Sequence, residues 1–501
     1  MKNTKTRRVL IGVVFAMLAA SGLSCNPPAP TDNGGNTNGN SNSNGDDPNG
    51  NGGTGSNGSN TNQDETLVKT RIIMDDNTLI MRPQAGDDLI VWGDSETVYY
   101  IVPSESSDET DAGIEVPEGE RFAWTHFAVA GKKIALVTSL GNVRVYDTAT
   151  GQSKEFSTSD LLLRNTQMND DRLPGLTQAS GNLFATINDT NQVADGNAIK
   201  VIDVAGSDPN AWKVISFPNP TSSIDEPIET FDQVAVDSGS RRVAAAGGEG
   251  LYVWDIDSPG SAPQFVEMTL ANDMCCINDG VQMQFDGDWI LYQQDPPDFP
   301  LGLGTTNAVL LNLNNGTITT FTNNPSTHNA QVVLDNGRFG YAQWREDLDA
   351  QSGAGMSFRS AIGQVSDAPG STLASQFDTY DLRDSNVDFS SLTQAECHDA
   401  DKKIGFYASM CLTPDGSRWF LAGTGPIDDE WDYLQMSTGG EFTDFEDPEH
   451  DPITGSVMAT DVSCSNDVVA FRALRTEDSG LGCSTSDEWV LGFIRIDLLD
   501  N

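Results

Sequence analysis

Residues Val129–Gln152 read VAGKKIALVTSLGNVRVYDTATGQ. An apolar run ends at Ala130, and Gly131 and Lys132 interrupt it. Ile134–Val137 form a second run, and Ser139–Asn142 a second break. Val143–Asp147 alternate into a third run, closed by Thr148–Gly151. Apolar runs this short, bounded by Gly, Asn, Ser and Thr, read as antiparallel strands joined by turns.

The pattern recurs along the chain. The first break falls at Gly86 in QAGDDLIVW, Gly131 in VAGKKIALV, Gly181 in ASGNLFATI and Gly239 in DSGSRRVAAAG. It falls again at Gly287 in FDGDWILY, Gly337 in LDNGRFGYA, Gly416 in TPDGSRWFLAG and Asn466 in CSNDVVAF. The intervals are 45, 50, 58, 48, 50, 79 and 50 residues. Short strands at a period near fifty predict an all-β fold, an eight-bladed β-propeller of four-stranded blades, with seven blades as the alternative. Tandem immunoglobulin-like sandwiches would repeat at about ninety residues instead. Glycine is expected at these breaks because tight hairpin turns need positive φ. The third run recurs as NVRVYDTATG, NAIKVIDVAG, LYVWDID, NAVLLNLNNG and WVLGFIRIDLL. Outer strands are expected in KEFST, WKVISFP, QFVEMTL and TITTFTN. The last repeat has no room for an outer strand before Asn501, so Lys69–Asn77 is expected to complete it and close the ring.

TPDGSRWFLAG and NVRVYDTATGQ resemble blades of WD-repeat and TolB-like propellers. The resemblance spans about residues 69–501 and lies in the pattern, not in a signature; VWD at Val253–Asp255 is the nearest approach to the defining WD motif. Such families mostly bind proteins, peptides or glycans, and some propellers are enzymes. The resemblance therefore sets no activity.

The N-terminus divides the chain. Lys2, Lys5, Arg7 and Arg8 precede an apolar stretch, Val9–Leu23, too short for a comfortable membrane span. Gly22-Leu23-Ser24-Cys25 resembles a bacterial lipoprotein signal box, with the Leu one place late. The resemblance implies a signal peptide over 1–24, acylation (palmitate) of Cys25, and a membrane-anchored protein facing the periplasm or the cell surface. A plain secretory signal is the alternative. Residues 25–66 are nearly all Asn, Gly, Ser, Thr, Pro and Asp, so they read as a disordered tether with an r.m.s. span of roughly 35 Å. Its GxGxxG match at Gly50–Gly55 has no flanking strand and helix, so it is no dinucleotide site. The propeller is expected over 67–501.

Lys and Arg number 28 against 73 Asp and Glu, a formal charge of −45. Nucleic acid and anionic bilayers, which need clustered cations, are excluded as direct partners. The membrane is engaged through the lipid alone, and the protein is expected to be monomeric. Besides Cys25 there are Cys275, Cys276, Cys397, Cys411, Cys464 and Cys483. An even set in an exported chain predicts disulfides, and spacing leaves all fifteen pairings open.

In a four-stranded blade the first-to-second turns lie at one end. The second-to-third loops and the blade-to-blade connections lie at the other. The long segments collect at that second end, and binding sites favour long loops on a rigid scaffold. The candidate binding residues there are Asp189, Asp195, Asp295, Asp298, Asp347, Asp349, Asp428, Asp429, Glu430, Glu477 and Asp478. These carboxylates suit Ca²⁺ or a basic ligand, or are ordinary solvated loop residues. No nucleophile elbow, HExxH or P-loop occurs. His126 in AWTHFAV and His328 in PSTHNAQVV are expected on inner strands, as structural residues or as a channel base. The expected function is a lipid-anchored, non-catalytic module binding a protein, peptide or glycan. The alternatives are an extracellular hydrolase or lyase with its site in the channel, or a structural envelope component.

Overall fold

The computed structural model describes most of residues 68–499. Residues 1–67, 73–82, 94–97, 104–111, 115–121, 139–141, 158, 164–175, 222–227, 229–230, 232, 248–249, 268–282, 295–306, 322–326, 348–354, 366–373, 382–405, 425–433, 439–442, 445–455, 477–486 and 500–501 lie outside the described residues. Every described residue belongs to one compact unit, Asp64–Asn501.

The first strand is β1 (Val68–Ile72). Sheet 1 then comprises β2 (Gln84–Gly86), β3 (Leu89–Gly93), β4 (Val98–Ile101) and β5 (Ala112–Ile114). Sheet 2 comprises β6 (Phe122–Ala130), β7 (Lys133–Thr138), β8 (Val143–Asp147) and β9 (Gln152–Glu155). Sheet 3 is β10 (Leu176–Ser180), β11 (Leu183–Ile187), β12 (Ile199–Asp203) and β13 (Lys213–Phe217). Sheet 4 is β14 (Gln233–Asp237), β15 (Arg242–Gly247), β16 (Gly250–Asp255) and β17 (Gln264–Glu267). Sheet 5 holds β18 (Met283–Asp286), β19 (Trp289–Gln294), β20 (Asn307–Asn312) and β21 (Ile318–Thr320). Sheet 6 holds β22 (Thr327–Asp335), β23 (Arg338–Asp347), β24 (Gly355–Gln364) and β25 (Ala374–Asp381). Sheet 7 has β26 (Phe406–Leu412), β27 (Trp419–Thr424), β28 (Leu434–Ser437) and β29 (Thr443–Asp444). Sheet 8 has β30 (Ser456–Cys464), β31 (Val468–Thr476) and β32 (Asp487–Arg495), and its fourth strand is β1.

This is an all-β propeller, with no α-helix among the described residues. Each sheet is antiparallel, sheets 1 to 7 being simple meanders, and meets its neighbours chiefly through its first strand. β6 contacts β2 and β10, β14 contacts β10 and β18, β22 contacts β18 and β26, and β30 contacts β26 and β2. β1 pairs with β32 from Val68 opposite Ile494 to Ile72 opposite Val490, overlapping the first part of the Lys69–Asn77 segment expected; 73–77 lie outside the described residues. The seams are apolar because second and third strands are buried on both faces. Leu183, Val201, Val236 and Trp254 fill one seam, and Ile90, Trp92, Ala470 and Leu491 fill another. Each such aliphatic side chain contributes about 1.5–3 kcal/mol by leaving water.

Two repeated hydrogen bonds explain the polar punctuation. The third strand ends in Asp147, Asp203, Asp255 or Asn312. Each side-chain oxygen accepts from the backbone N–H two residues on, at 3.0, 3.2, 2.8 and 2.9 Å. That is the local capping for which Asp and Asn are selected at turns. The next residue donates back to the first turn: Thr148 N to Lys132 O, Val204 N to Asn182 O, Ile256 N to Arg241 O and Leu313 N to Asp288 O.

The turn glycines divide into two kinds. Gly131, Gly181, Gly287, Gly337 and Gly416 have positive φ, as expected. At the first and fourth repeats the positive φ falls on Asp88 and Arg241 instead. Gly86 is there for space. A Cβ on it would overlap the Gly131 carbonyl, and the following amide, Asp87 N, donates to that same oxygen at 3.1 Å.

Candidate functional site

Antiparallel order puts the first-to-second turns at one end of every sheet, together with the start of each fourth strand. The first-to-second connections have two to six residues. At the opposite end, the connections from fourth strand to next sheet have six to twenty-four residues. The second-to-third loops there have two to twelve.

At the long-connection end, Asp189 and Asp195 lie in the loop between β11 and β12. Asp189 accepts from Asn191 N at 3.0 Å and Gln192 Nε2 at 2.8 Å. Asp195 pairs with Lys200 Nζ at 2.9 Å, and that ammonium is buried and also donates to Asp160 O at 2.6 Å. Burial raises the Asp195 pKa. The hydrogen bonds from Lys200, Ser216 and Asn197 outweigh it, so the carboxyl sits below its usual range. Both residues therefore order their own loop. Asp347 is the last residue of β23, opposite Gly355. Asp295, Asp298, Asp349, Asp428, Asp429, Glu430, Glu477 and Asp478 lie outside the described residues, as do Cys25, Cys275, Cys276, Cys397 and Cys483. His126 and His328 fall on the first strands β6 and β22, as expected, with His328 opposite Trp344. Cys411 and Cys464 form a disulfide, one pairing of the fifteen.

The short-turn end carries a row of carboxylates that the sequence reading passed over. Asp237, Asp286 and Asp335 are the last residues of β14, β18 and β22, each just before its turn. Asp237 accepts from Gly239 N at 2.9 Å and Ser240 N at 2.8 Å within its own turn, and from Gly287 N of the next sheet at 3.0 Å. Asp286 accepts from Gly337 N, again one sheet on, at 2.6 Å. Burial, and then the charge of Asp237, raise the Asp286 pKa against the bond from Gly337. Burial pushes Asp335 up to about 7, and the charges of Asp286 and Asp237 add to it.

Arginines continue the lacing at this end. Arg241 reaches Asp203 of sheet 3 at 3.4 Å and Asp257 of its own sheet at 2.8 Å. Arg242 reaches Asp288 of sheet 5 at 2.7 Å and stacks over Phe285. Nearer the centre, polar side chains of first strands bond the backbone of the adjacent first strand. Gln84 takes Val129 N and gives to Phe127 O, Ser409 takes Val462 N, and Ser463 takes Ala85 N. Edge groups of the first strands are thus satisfied from sheet to sheet. A sequence signal for the carboxylate row existed. VAVDSG, MQFDG and VVLDNG place Asp at intervals of 49 residues, immediately before the turn. Among the described residues, no group of three or more His, Cys, Asp or Glu is arranged to hold a metal ion.

No protein-family model matches the chain. No curated protein matches it either. Among solved structures it resembles BamB from Moraxella catarrhalis at 10% identity and TM-score 0.37, over 83% of this chain and 98% of that one. The β-propeller domain of the Trilobed protease from Pyrococcus furiosus gives 10% identity and TM-score 0.37, over 83% and 93%. The computationally designed Ika8 protein gives 10% and 0.43, over 83% and 96%. Similarity at this level concerns the fold alone.

Proposed function

We propose that this chain is a lipid-anchored, non-catalytic binding module of a bacterial envelope. It docks a protein, peptide or glycan partner on the end of the propeller that carries the long connections. The observation that carries the reading is the asymmetry between the two ends of the sheets. One end is closed by connections of two to ten residues and cross-laced by carboxylates and arginines, while the other bears connections of up to twenty-four. A rigid frame with long variable segments gathered at one end is the arrangement binding surfaces favour.

The register of β1 supports the same polarity. Val68, where the chain enters the domain after the tether, lies opposite Ile494 near the short-turn end. The long connections therefore lie at the end opposite Val68. Acylation of Cys25 would hold the domain to a membrane, and residues 25–66 would supply the reach.

The test uses soluble residues 67–501 in pull-downs and on glycan arrays, in parallel with two variants. Asp428→Lys/Asp429→Lys, at the long-connection end, is expected to abolish capture, and Asp87→Lys, at the short-turn end, to preserve it. Capture lost equally in both variants, or none above background with the native domain, overturns the docking reading. Palmitate labelling and membrane fractionation unchanged by Cys25→Ala overturn the anchor.

A further inference from the structure

Sheet 8 differs from the others in how it is built. Its outer strand β1 and its inner three strands come from opposite ends of the described chain, and they are joined by five paired residues. Closing that ladder brings together segments more than four hundred residues apart, so its ordering entropy is the largest in the ring. The first strand of the same sheet carries Cys464. Its disulfide to Cys411 crosses the seam to β26 of sheet 7, with the two Cα atoms 5.7 Å apart.

Among the described residues, the remaining contacts of sheet 8 are non-covalent. Ser409 Oγ holds Val462 N at 3.0 Å, and Asp415 N donates to Asn466 Oδ1 at 2.8 Å. Phe420, Val469, Phe471 and Ile494 form the apolar seam toward sheet 7. Toward sheet 1, Ala85 N donates to Ser463 Oγ at 3.0 Å, and Asp88 N to Asp467 Oδ2 at 3.1 Å. Among the described residues, this is the one seam joined by a covalent bond.

We infer that the Cys411–Cys464 disulfide is a redox-operated latch that holds sheet 8, the sheet on which the ring closes, against sheet 7. Cys411 is buried and Cys464 partly so, which makes the Cys464 sulfur the point of attack. A thiolate of an external dithiol attacks Cys464 Sγ. Cys411 leaves as thiolate and takes up a proton, and the dithiol's second thiol resolves the mixed disulfide. The protein disulfide gains two electrons and two protons, and the dithiol is oxidised to its own disulfide. Among the described residues, sheet 8 and β1 are then held by hydrogen bonds and apolar contact, and they open together while the other sheets stay closed. The inference rests on the fold and is independent of the docking reading.

The experiment is peptide-resolved hydrogen exchange on residues 67–501, oxidised and after treatment with dithiothreitol under native conditions. Alkylation mass mapping reports the state of Cys411 and Cys464. Reduction is expected to speed exchange at least tenfold in 456–495 and 68–72, with less than twofold change in 176–267. The Cys411→Ser/Cys464→Ser variant is expected to show the same local increase and no further response to dithiol. Because a variant can fail to fold, the reduced native chain is decisive on its own. Unchanged exchange once both thiols are alkylated overturns the inference. So does an increase spread evenly over all sheets, or a pair that resists reduction in the folded protein.

Discussion

Asp335→Asn is expected to stabilise the protein at neutral pH and to flatten its pH dependence. The Asp335 carboxyl titrates near 7 in the folded chain against a reference of 3.8, because burial and the charges of Asp286 and Asp237 oppose its ionisation. The folded state thus holds the proton more tightly than the unfolded state. Between pH 4 and pH 7 the unfolded chain binds fewer protons, so stability falls as pH rises through that window and is constant above it. A full shift from 3.8 to about 7, at about 1.4 kcal/mol per unit, amounts to about 4 kcal/mol. Asp335 is partly exposed at the rim, and solvent screening reduces this to about 2 kcal/mol. Asparagine has no charge to bury, and its side-chain oxygen can still accept from Asn336 N. Urea unfolding of residues 67–501 at pH 5, 6, 7 and 8 measures the effect. The difference between the two profiles isolates Asp335, since the repulsion within a chain of charge −45 is nearly common to both. The variant should exceed the native chain by about 2 kcal/mol at pH 8 and by clearly less at pH 5, where only part of the loss has accrued. Equal slopes, or a variant less stable at pH 8, would refute the reasoning.

Other perturbations probe different levels of the structure. Gly86→Ala sets a methyl against the Gly131 carbonyl and the Val129 side chain, and should cost about 2 kcal/mol in thermal or urea unfolding. A loss below about 0.5 kcal/mol would mean the first seam yields. Asp195→Asn leaves the buried Lys200 ammonium without its counter-ion and should destabilise by about 3 kcal/mol. Lys200→Met in the same background should recover part of that loss, and failure to recover would show that the pair is not coupled. Deleting residues 67–72 exposes the β32 edge, so the shortened domain should self-associate in sedimentation at concentrations where 67–501 stays monomeric.

The repeat was legible because it is written in local chemistry. Gly131, Gly181, Gly287, Gly337 and Gly416 report backbone conformations that other residues adopt at a cost. Asp147, Asp203, Asp255 and Asn312 report turns that their own side chains cap two residues on. The strand that completes sheet 8 could also be read, since a lone β-patterned segment must find an edge to pair with. The carboxylate row at the short-turn end is not legible as a row despite its 49-residue interval, because an Asp before a turn is also ordinary turn chemistry.

What the sequence by itself determined is the repeating unit: strands, turns, and the end of each sheet at which the long segments gather. These follow from side-chain alternation and turn chemistry within fifty residues of chain. The tertiary structure decided which distant groups meet. Gly86 and Gly239 look alike in the alignment of repeats, yet one is required by the approach of the neighbouring turn and the other is not. Asp195 looks like a free loop carboxylate and is the partner of a buried lysine. Cys411 finds Cys464 because consecutive first strands lie side by side, the two cysteines fifty-three residues apart in sequence and 5.7 Å apart in space. Asp237, Asp286 and Asp335 become one coupled row for the same reason. Their shared field depends on separations between sheets, and a sequence carries no distance between segments that its own periodicity does not set.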